Sequence, residues 1–322
     1  MEQLKGSFYL FCAFLLAGTS VVCARFVSGR LGTFTIASAS LFFAILGLLS
    51  VYGLKTLKEI RRLKAGDWFM ILLQAFFGIF LFRVFLLQGL LYTSSAEAGI
   101  LTGVTPAVTV ILASLALKEA VNRQNTVGIV STVAGILLVQ GILSPGNVFS
   151  LEHISGNALV VCAAVSEALF NVLSRIAGLK PAAHRGQPLN PVIQTTLVAF
   201  VAFFLCLVPS LLENPIPSLA ALSPGQWLAL VWYGLIVTAL AFISWYSGIK
   251  RCTACAAAAF SGMMPFTSLI LSTALLKENI GWAQWSGGAL IILGMLLIGM
   301  RQTDRTTPGK TGYVEGSTCP QS

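Results

Sequence analysis

The chain alternates long apolar runs with short polar connections. An α-helix rises 1.5 Å per residue, so about 20 mostly apolar residues cross the hydrocarbon core of a bilayer. Runs of about that length lie at residues 7–24, 34–54, 68–91, 95–117, 126–143, 156–177, 192–212, 227–247, 254–276 and 282–300. The connections are short, apart from the basic stretch 55–67 and the loop 178–191, so no soluble domain fits between spans. The pattern predicts an all-α integral membrane protein with ten transmembrane helices. The segment 302–322 is polar, carries Gly and Pro, and reads as a disordered tail.

The runs also repeat. Residues 66–141 realign on 225–300 without a gap, a shift of 159. Apolar identities follow from composition alone, so the rarer letters decide. Trp68 meets Trp227, Gly89 meets Gly248, Pro106 meets Pro265, and Lys118-Glu119 meets Lys277-Glu278. Gly128 and Gly135 meet Gly287 and Gly294. The first and sixth runs match less clearly, with Arg25 on Arg175 as the best pairing. Five spans per copy is an odd number, so the second copy enters the membrane from the opposite side. The expected domains are a first five-helix repeat at 1–143, an inverted second repeat at 144–301, and the tail at 302–322. Related halves around an in-plane pseudo-two-fold axis offer two ways of opening one central site, a physical basis for alternating access.

Charge sets orientation and removes other classes. Charged residues are 10% of the chain, against about 25% in a soluble domain. Too few remain to cover a water-facing surface, so apolar surface must face lipid. The net charge of +9 does not imply nucleic acid, because the charges cluster at the flanks of apolar runs. With a cytoplasmic N-terminus, the inner side holds Lys5, the cluster 55–64, Lys118, Arg123, Arg175, Lys180, Arg185, Lys250, Arg251 and the three basic residues of 301–310. The outer side holds Arg25, Arg30 and Lys277 of the 20 basic residues, and Arg83 lies inside a span. This bias predicts both termini in the cytoplasm. The first apolar run is long enough to span and leads into a multi-span chain, so it does not read as a cleavable signal peptide.

The run Gly89-Leu-Leu-Tyr92-Thr-Ser-Ser, then Pro106, Leu117-Lys-Glu119, Gly128 and Gly135, returns as Gly248, the small residues 254–259, Pro265, Glu278, Gly287 and Gly294. These two ordered copies resemble the EamA-type members of the drug/metabolite transporter superfamily over nearly the whole chain. The resemblance implies ten helices in two inverted five-helix repeats, with helices 1, 3, 4, 6, 8 and 9 around a central cavity. It also implies export of amino acids or related small polar metabolites. Flippase or sugar and nucleotide-sugar carrier activity is the alternative within transport, and a non-transporting scaffold or sensor is the contrast. Many relatives carry an Arg in the second helix, where this chain reads Ser38-Ala39-Ser40.

Ionisable groups at bilayer depth cost about 2.5–3.5 kcal/mol on insertion scales, so they face partners or a wet path. Arg83 lies well inside the third span, Glu97 near the outer start of the fourth, and Glu167 near the middle of the sixth. Phe76, Phe80 and Arg83 share one helical stripe, as do Glu167, Asn171 and Ser174. The expected substrate-binding set is Arg83, Glu97, Glu167 and Asn171, with Arg83 on a carboxylate and a Glu on an ammonium. A structural Arg83–Glu97 ion pair is the plainer alternative. Glu167 is the expected proton-coupling group, since a carboxyl that loads a proton from one side and releases it to the other is the minimum part for antiport.

Pro106 and Pro265 sit mid-span, where proline removes a backbone donor and frees a carbonyl. They read either as symmetry-related hinges or as kinks used for packing. Thr102, Thr105 and Thr109, and Ser261, Ser268 and Ser272, are the available partners for the freed carbonyls. Glu119 and Glu278 read as structural end-caps or ion-paired residues, and Trp245 with Tyr246 as interfacial belt. The four repeat glycines read as close packing against the partner half or a second subunit, which would make a homodimer. Cys252 and Cys255 form a C-x-x-C without further ligands nearby, and His153 and His184 fall in opposite loops. No Gly-rich phosphate loop with a Lys is present. The expectation is therefore no enzyme, no cofactor and no metal. The expected partners are a small polar metabolite and the lipid bilayer of the cell (inner or plasma) membrane.

Overall fold

The structure, a computed structural model, describes residues 2–117, 123–139, 151–179, 189–249, 251, 260, 263–278 and 281–300. Lys118, Glu119, the Cys252–Cys255 pair, Ser261, His184, the 143/144 boundary and the tail 302–322 lie outside the described residues, as do the side chains of His153 and Arg175.

The described chain is helical, with an isolated bridge between Ser28 and Leu31. The helices are α1 (Glu2–Val27), α2 (Thr33–Ile60), α3 (Ala65–Gly89), α4 (Ser95–Thr102), α5 (Thr105–Leu117), α6 (Arg123–Val139), α7 (Leu151–Leu179), α8 (Pro191–Ser210), α9 (Pro215–Ala220), α10 (Pro224–Ile249), α11 (Met263–Leu276) and α12 (Trp282–Met300). Seven helical stretches are long and apolar enough to cross a membrane, and the stretches 126–135 of α6 and 263–276 of α11 are shorter and apolar.

Local signals start these helices where the sequence provides caps. Asp67 and Gln226 occupy equivalent places in the two repeats. Each side chain reaches back to its N-cap backbone N–H, at Lys64 (3.1 Å) and Ser223 (3.0 Å). Asn190 caps α8 at the Val192 N–H, followed by Pro191 at the first helical position, where its missing donor costs nothing. Within α3 and α10 the ladder widens into π-helical turns at Phe76–Leu81 and Tyr233–Leu240. These segments overlap under the repeat shift, so the widening belongs to both halves.

Packing obeys the pseudo-two-fold. α1 lies against α10 and α11, and its counterpart α7 lies against α3, α4 and α5. Gly248 of α10 sits on Leu10 and the Gly6 carbonyl of α1, while its repeat mate Gly89 of α3 sits on Val160 and the Gly156 carbonyl of α7. Gly6 with Gly156, and Leu10 with Val160, share the displacement that sets Arg25 on Arg175. α2 packs against α8, and α6 against α12, so corresponding helices meet each other across the axis.

The glycine faces of α6 and α12 meet within one chain. A Cβ on Gly135 would stand 2.6 Å from the Gly287 carbonyl oxygen, and one on Gly294 2.6 Å from the Gly128 carbonyl oxygen. Ser131 donates to the carbonyl of Leu290, its own repeat equivalent, at 2.8 Å, which puts the axis between them. These glycines are taken by the partner half.

Candidate functional site

Two polar clusters sit inside the bundle, and a third set of polar contacts ties one end of it.

The first cluster surrounds Arg83, which is buried. Its Nη1 donates to the Ala37 carbonyl (3.3 Å) and to Ser40 Oγ (2.5 Å), and its Nη2 donates to Thr238 Oγ1. The guanidinium carbon lies 4.3 Å from the centroid of the Tyr233 ring, a cation–π contact. Ser40, Thr238 and Tyr233 are themselves buried, and the Tyr233 hydroxyl has no hydrogen-bond partner among the described residues. Both π-helical turns contribute: Arg83 follows the first by two residues, and Tyr233 and Thr238 belong to the second. The alternative of an ion pair with Glu97 does not form, because α3 aims Arg83 at α2 and α10, while Glu97 lies at the start of α4. Among the described residues no carboxylate is within ion-pair distance of Arg83. A buried cation held by neutral groups has no countercharge, and a guanidinium has five N–H donors, of which this shell uses three. Phe76 and Phe80 stack at 5.6 Å, and Phe80 stacks on Phe34 at 6.0 Å, which carries the Arg83 stripe into an aromatic ladder.

The second cluster surrounds Glu167. Thr105 Oγ1 lies 2.9 Å from Glu167 Oε2 and 2.8 Å from the Thr102 carbonyl oxygen. Helix four of the first repeat is broken here, between α4 and α5. Gly103 and Val104 make tight turn bonds to Ile100 and Leu101, and Pro106 supplies no N–H for the Thr102 carbonyl. A threonine hydroxyl therefore serves the freed carbonyl, as the sequence suggested. Asn171, one turn beyond Glu167, is half-buried with no partner among the described residues. At Pro265 the carbonyl that proline leaves free belongs to Ser261, outside the described residues, and the buried Ser268 and Ser272 hydroxyls have no partner among the described residues.

These two clusters are not directly bonded. Gly78 packs on Phe170 and Gly89 on Val160, so α3 and α7 run antiparallel with Arg83 level with Val165 and Ser166. Glu167 then lies only one or two residues further along α7, roughly 2–3 Å on the axis.

The third set lies at the end that the charge bias places outside. The buried Glu97 carboxyl accepts from Thr93 (3.1 Å), Asn157 (3.2 Å) and Gln284 (3.0 Å), which ties α4 to α7 and α12. Glu278 accepts from the Ser95 and Ala96 N–H groups, at 3.1 and 2.9 Å, so it caps α4 from the other repeat. Its end-cap role was readable, but not which helix it caps. Glu213 caps α2 in the same way through Phe34 N (3.1 Å), Thr35 N (2.7 Å) and Thr35 Oγ1 (2.7 Å). Gly32 leaves the space that this carboxylate fills. Arg25 donates to the Leu90 carbonyl at the end of α3. Sequence reasoning missed Glu213, Ser40, Thr238 and Tyr233, which carry no spacing signal of their own.

Tyr246 also departs from expectation. It is buried, and its hydroxyl lies 3.4 Å from Gln74 Oε1, which in turn accepts from Gln194 at 3.1 Å. Its helix face turns inward against Phe170 and Phe242, so it is part of the interior and not of an interfacial belt. Trp245, next to it, makes an edge-to-face contact with Phe14 of α1 at 5.4 Å. Trp282, by contrast, is 89% exposed, as an interfacial anchor should be.

A helical bundle of two equivalent halves, with apolar spans and buried ionisable groups, fits a membrane transport protein built from two repeats. The model of the EamA-like transporter family matches residues 4–141 and again 154–300, and the chain belongs to that family. It is 30% identical over 298 residues to the uncharacterized transporter YetK of Bacillus subtilis (strain 168), covering 92% of this chain and 87% of that protein. It is 25% identical over 260 residues to a probable terminal-alkyne amino-acid exporter of Streptantibioticus cattleyicolor, covering 78% and 81%. A solved structure at 21% identity superposes with a TM-score of 0.60, over 91% of this chain and 95% of that chain, a likeness of fold.

Proposed function

We propose that the chain is a secondary transporter that exports amino acids or closely related small zwitterions across the cell membrane by alternating access. The observation that carries this reading is Arg83: a buried guanidinium whose described partners are a carbonyl, two hydroxyls and an aromatic ring. Such a cation is held ready for an anion that arrives and leaves, and the planar fork suits a carboxylate. The unpartnered Tyr233 hydroxyl supplies a further donor beside it. Glu167, close to the level of Arg83, and Asn171, one turn beyond it, receive the ammonium, and Glu167 carries the coupled proton. Glu97 is fully engaged with α7 and α12, so it closes the outer end instead of touching substrate. The probable amino-acid exporter among the relatives supports the substrate class.

In this reading the chain forms ten spans in two inverted repeats, 1–143 and 144–301, with both termini in the cytoplasm, and Pro106 and Pro265 act as the paired hinges. The test is flux in proteoliposomes, screened with labelled amino acids, nucleosides and sugars. Saturable amino-acid exchange that Arg83→Gln abolishes, with folded protein retained, is the expected result. No flux and no ligand-induced thermal shift across the panel would move the chain to the scaffold class.

A further inference from the structure

Around Thr105 there is one donor for two acceptors that both need it. Pro106 leaves the buried Thr102 carbonyl without its helical N–H, and the Thr105 hydroxyl lies 2.8 Å from it. The same hydroxyl lies 2.9 Å from Glu167 Oε2, with the Ala164 carbonyl more distant at 3.5 Å. A threonine hydroxyl donates one proton and accepts through two lone pairs, and an ionised carboxylate only accepts. With Glu167 ionised, the hydroxyl turns to the carboxylate, because a charge-assisted bond is the stronger one. The Thr102 carbonyl then loses its donor inside the bundle. With Glu167 protonated, the carboxyl O–H donates to Thr105 Oγ1, and Thr105 donates to Thr102. Every group is then satisfied in the geometry seen here.

We propose that Thr105 is a positioning residue that links the protonation of Glu167 to the shape of the break between α4 and α5. Protonation completes the chain Glu167–Thr105–Thr102 and holds the break. Ionisation withdraws the hydroxyl, and the Thr102 carbonyl must recruit water or a shifted backbone. The break changes shape as the proton leaves, which is how a proton moves a hinge. The proposal rests on the transporter reading only in that Glu167 titrates.

The surroundings leave Glu167 to this contact. Of the elements packed against α7, α3 brings Arg83, held by α2 and α10, and Asp67 at the opposite end of the helix. α4 brings Glu97, held by Asn157 and Gln284. α10 meets α7 at Phe170 and brings Tyr246, which faces Gln74. On α7 itself, the side chains of Glu152, His153 and Arg175 lie outside the described residues. The other half lacks the device. Under the repeat shifts Ala17 stands for Glu167 and Met264 for Thr105, so acid and hydroxyl are both missing from the equivalent positions.

The test is hydrogen–deuterium exchange of the purified full chain across a pH series, corrected for intrinsic exchange chemistry and read on peptides covering 101–110. Wild type should show a step of roughly tenfold in the exchange of these amides, the equivalent of about one hydrogen bond. Glu167→Gln should fix the low-pH pattern at every pH, and Thr105→Val should remove the step. Thr105→Ser, which keeps the hydroxyl, should retain it. A step that survives in Thr105→Val or in Glu167→Gln overturns the proposal, as does its absence from wild type. If Thr105→Val does not fold, wild type, Glu167→Gln and Thr105→Ser still decide, since a step lost in Thr105→Ser also overturns it. Flux in the same preparation separates the two ideas. A present step with pH-independent flux keeps the Thr105 linkage and ends the coupling role, whereas pH-driven flux without a step does the reverse.

Discussion

Replacing Glu278 tests whether the two halves are held together by carboxylate caps. The first N–H groups of a helix have no partner within it. In α4 they are all accounted for: Ser95 and Ala96 bond to Glu278, Glu97 bonds to the Ser94 hydroxyl at 3.1 Å, and Ala98 bonds to the Ser94 carbonyl at 3.0 Å. Ser95 and Ala96 are buried, so Glu278→Ala strands two donors away from water. Each stranded donor costs about 1–3 kcal/mol, which gives about 2–6 kcal/mol for the pair. Glu278→Gln keeps one acceptor oxygen and loses the favourable charge at the helix N-terminus, worth about 0.3–2 kcal/mol, plus one of the two bonds. The expected order of stability is wild type, then Gln, then Ala. For a chain of this size the Ala variant should melt at least about 3 °C lower. Thermal unfolding of the detergent-purified protein is the assay. An Ala variant that melts with wild type, or a Gln variant less stable than Ala, refutes the capping assignment.

Arg83→Lys keeps the charge but loses the planar fork, and if the substrate carboxylate docks there, its affinity should fall by roughly 10–150-fold, the worth of one charged hydrogen bond. Substrate-dependent thermal shifts within twofold of wild type would remove Arg83 from the site. Gly135→Val places a Cβ 2.6 Å from the Gly287 carbonyl oxygen and 2.7 Å from Ile291, and overpacking of this kind costs about 1–3 kcal/mol or more. Poor monodispersity and a lowered melting temperature are the expected readouts, and an unperturbed variant would mean that α6 and α12 do not touch there. Reporters fused at Lys64 and after Arg301 should report cytoplasm, and fusions at Ser144 and Asn214 the outside; an outside signal at Lys64 reverses the orientation.

The Glu167 cluster was the more legible of the two. Proline's missing donor is a covalent fact, so a freed carbonyl at Thr102 and a nearby hydroxyl to serve it follow from letters four residues apart. That the Thr105 hydroxyl also meets Glu167 required α5 to lie against α7. The Arg83 cluster was legible as a buried charge on a stripe with Phe76 and Phe80, and no further. Its partners come from α2 and α10, and polar groups spread singly through apolar runs give no periodic signal. The π-helical turns that aim them are likewise silent in sequence, since a widened turn spends the same residues as an ordinary one.

The sequence by itself determined the apolar spans, the paired copies and their shift, and the glycines at seven-residue spacing that let corresponding helices approach. These are properties of the chain's own period and composition, and each is repeated twice. Tertiary structure decided which helix a given side chain completes: Glu278 on α4, Glu213 on α2, Tyr246 turned to Gln74, and Glu97 tied to α7 and α12 and kept from Arg83. A side chain's depth and face are fixed by its place along its own helix. Its partner is fixed by whichever helix the other half brings alongside, and that follows from how the two halves pack around the pseudo-two-fold axis.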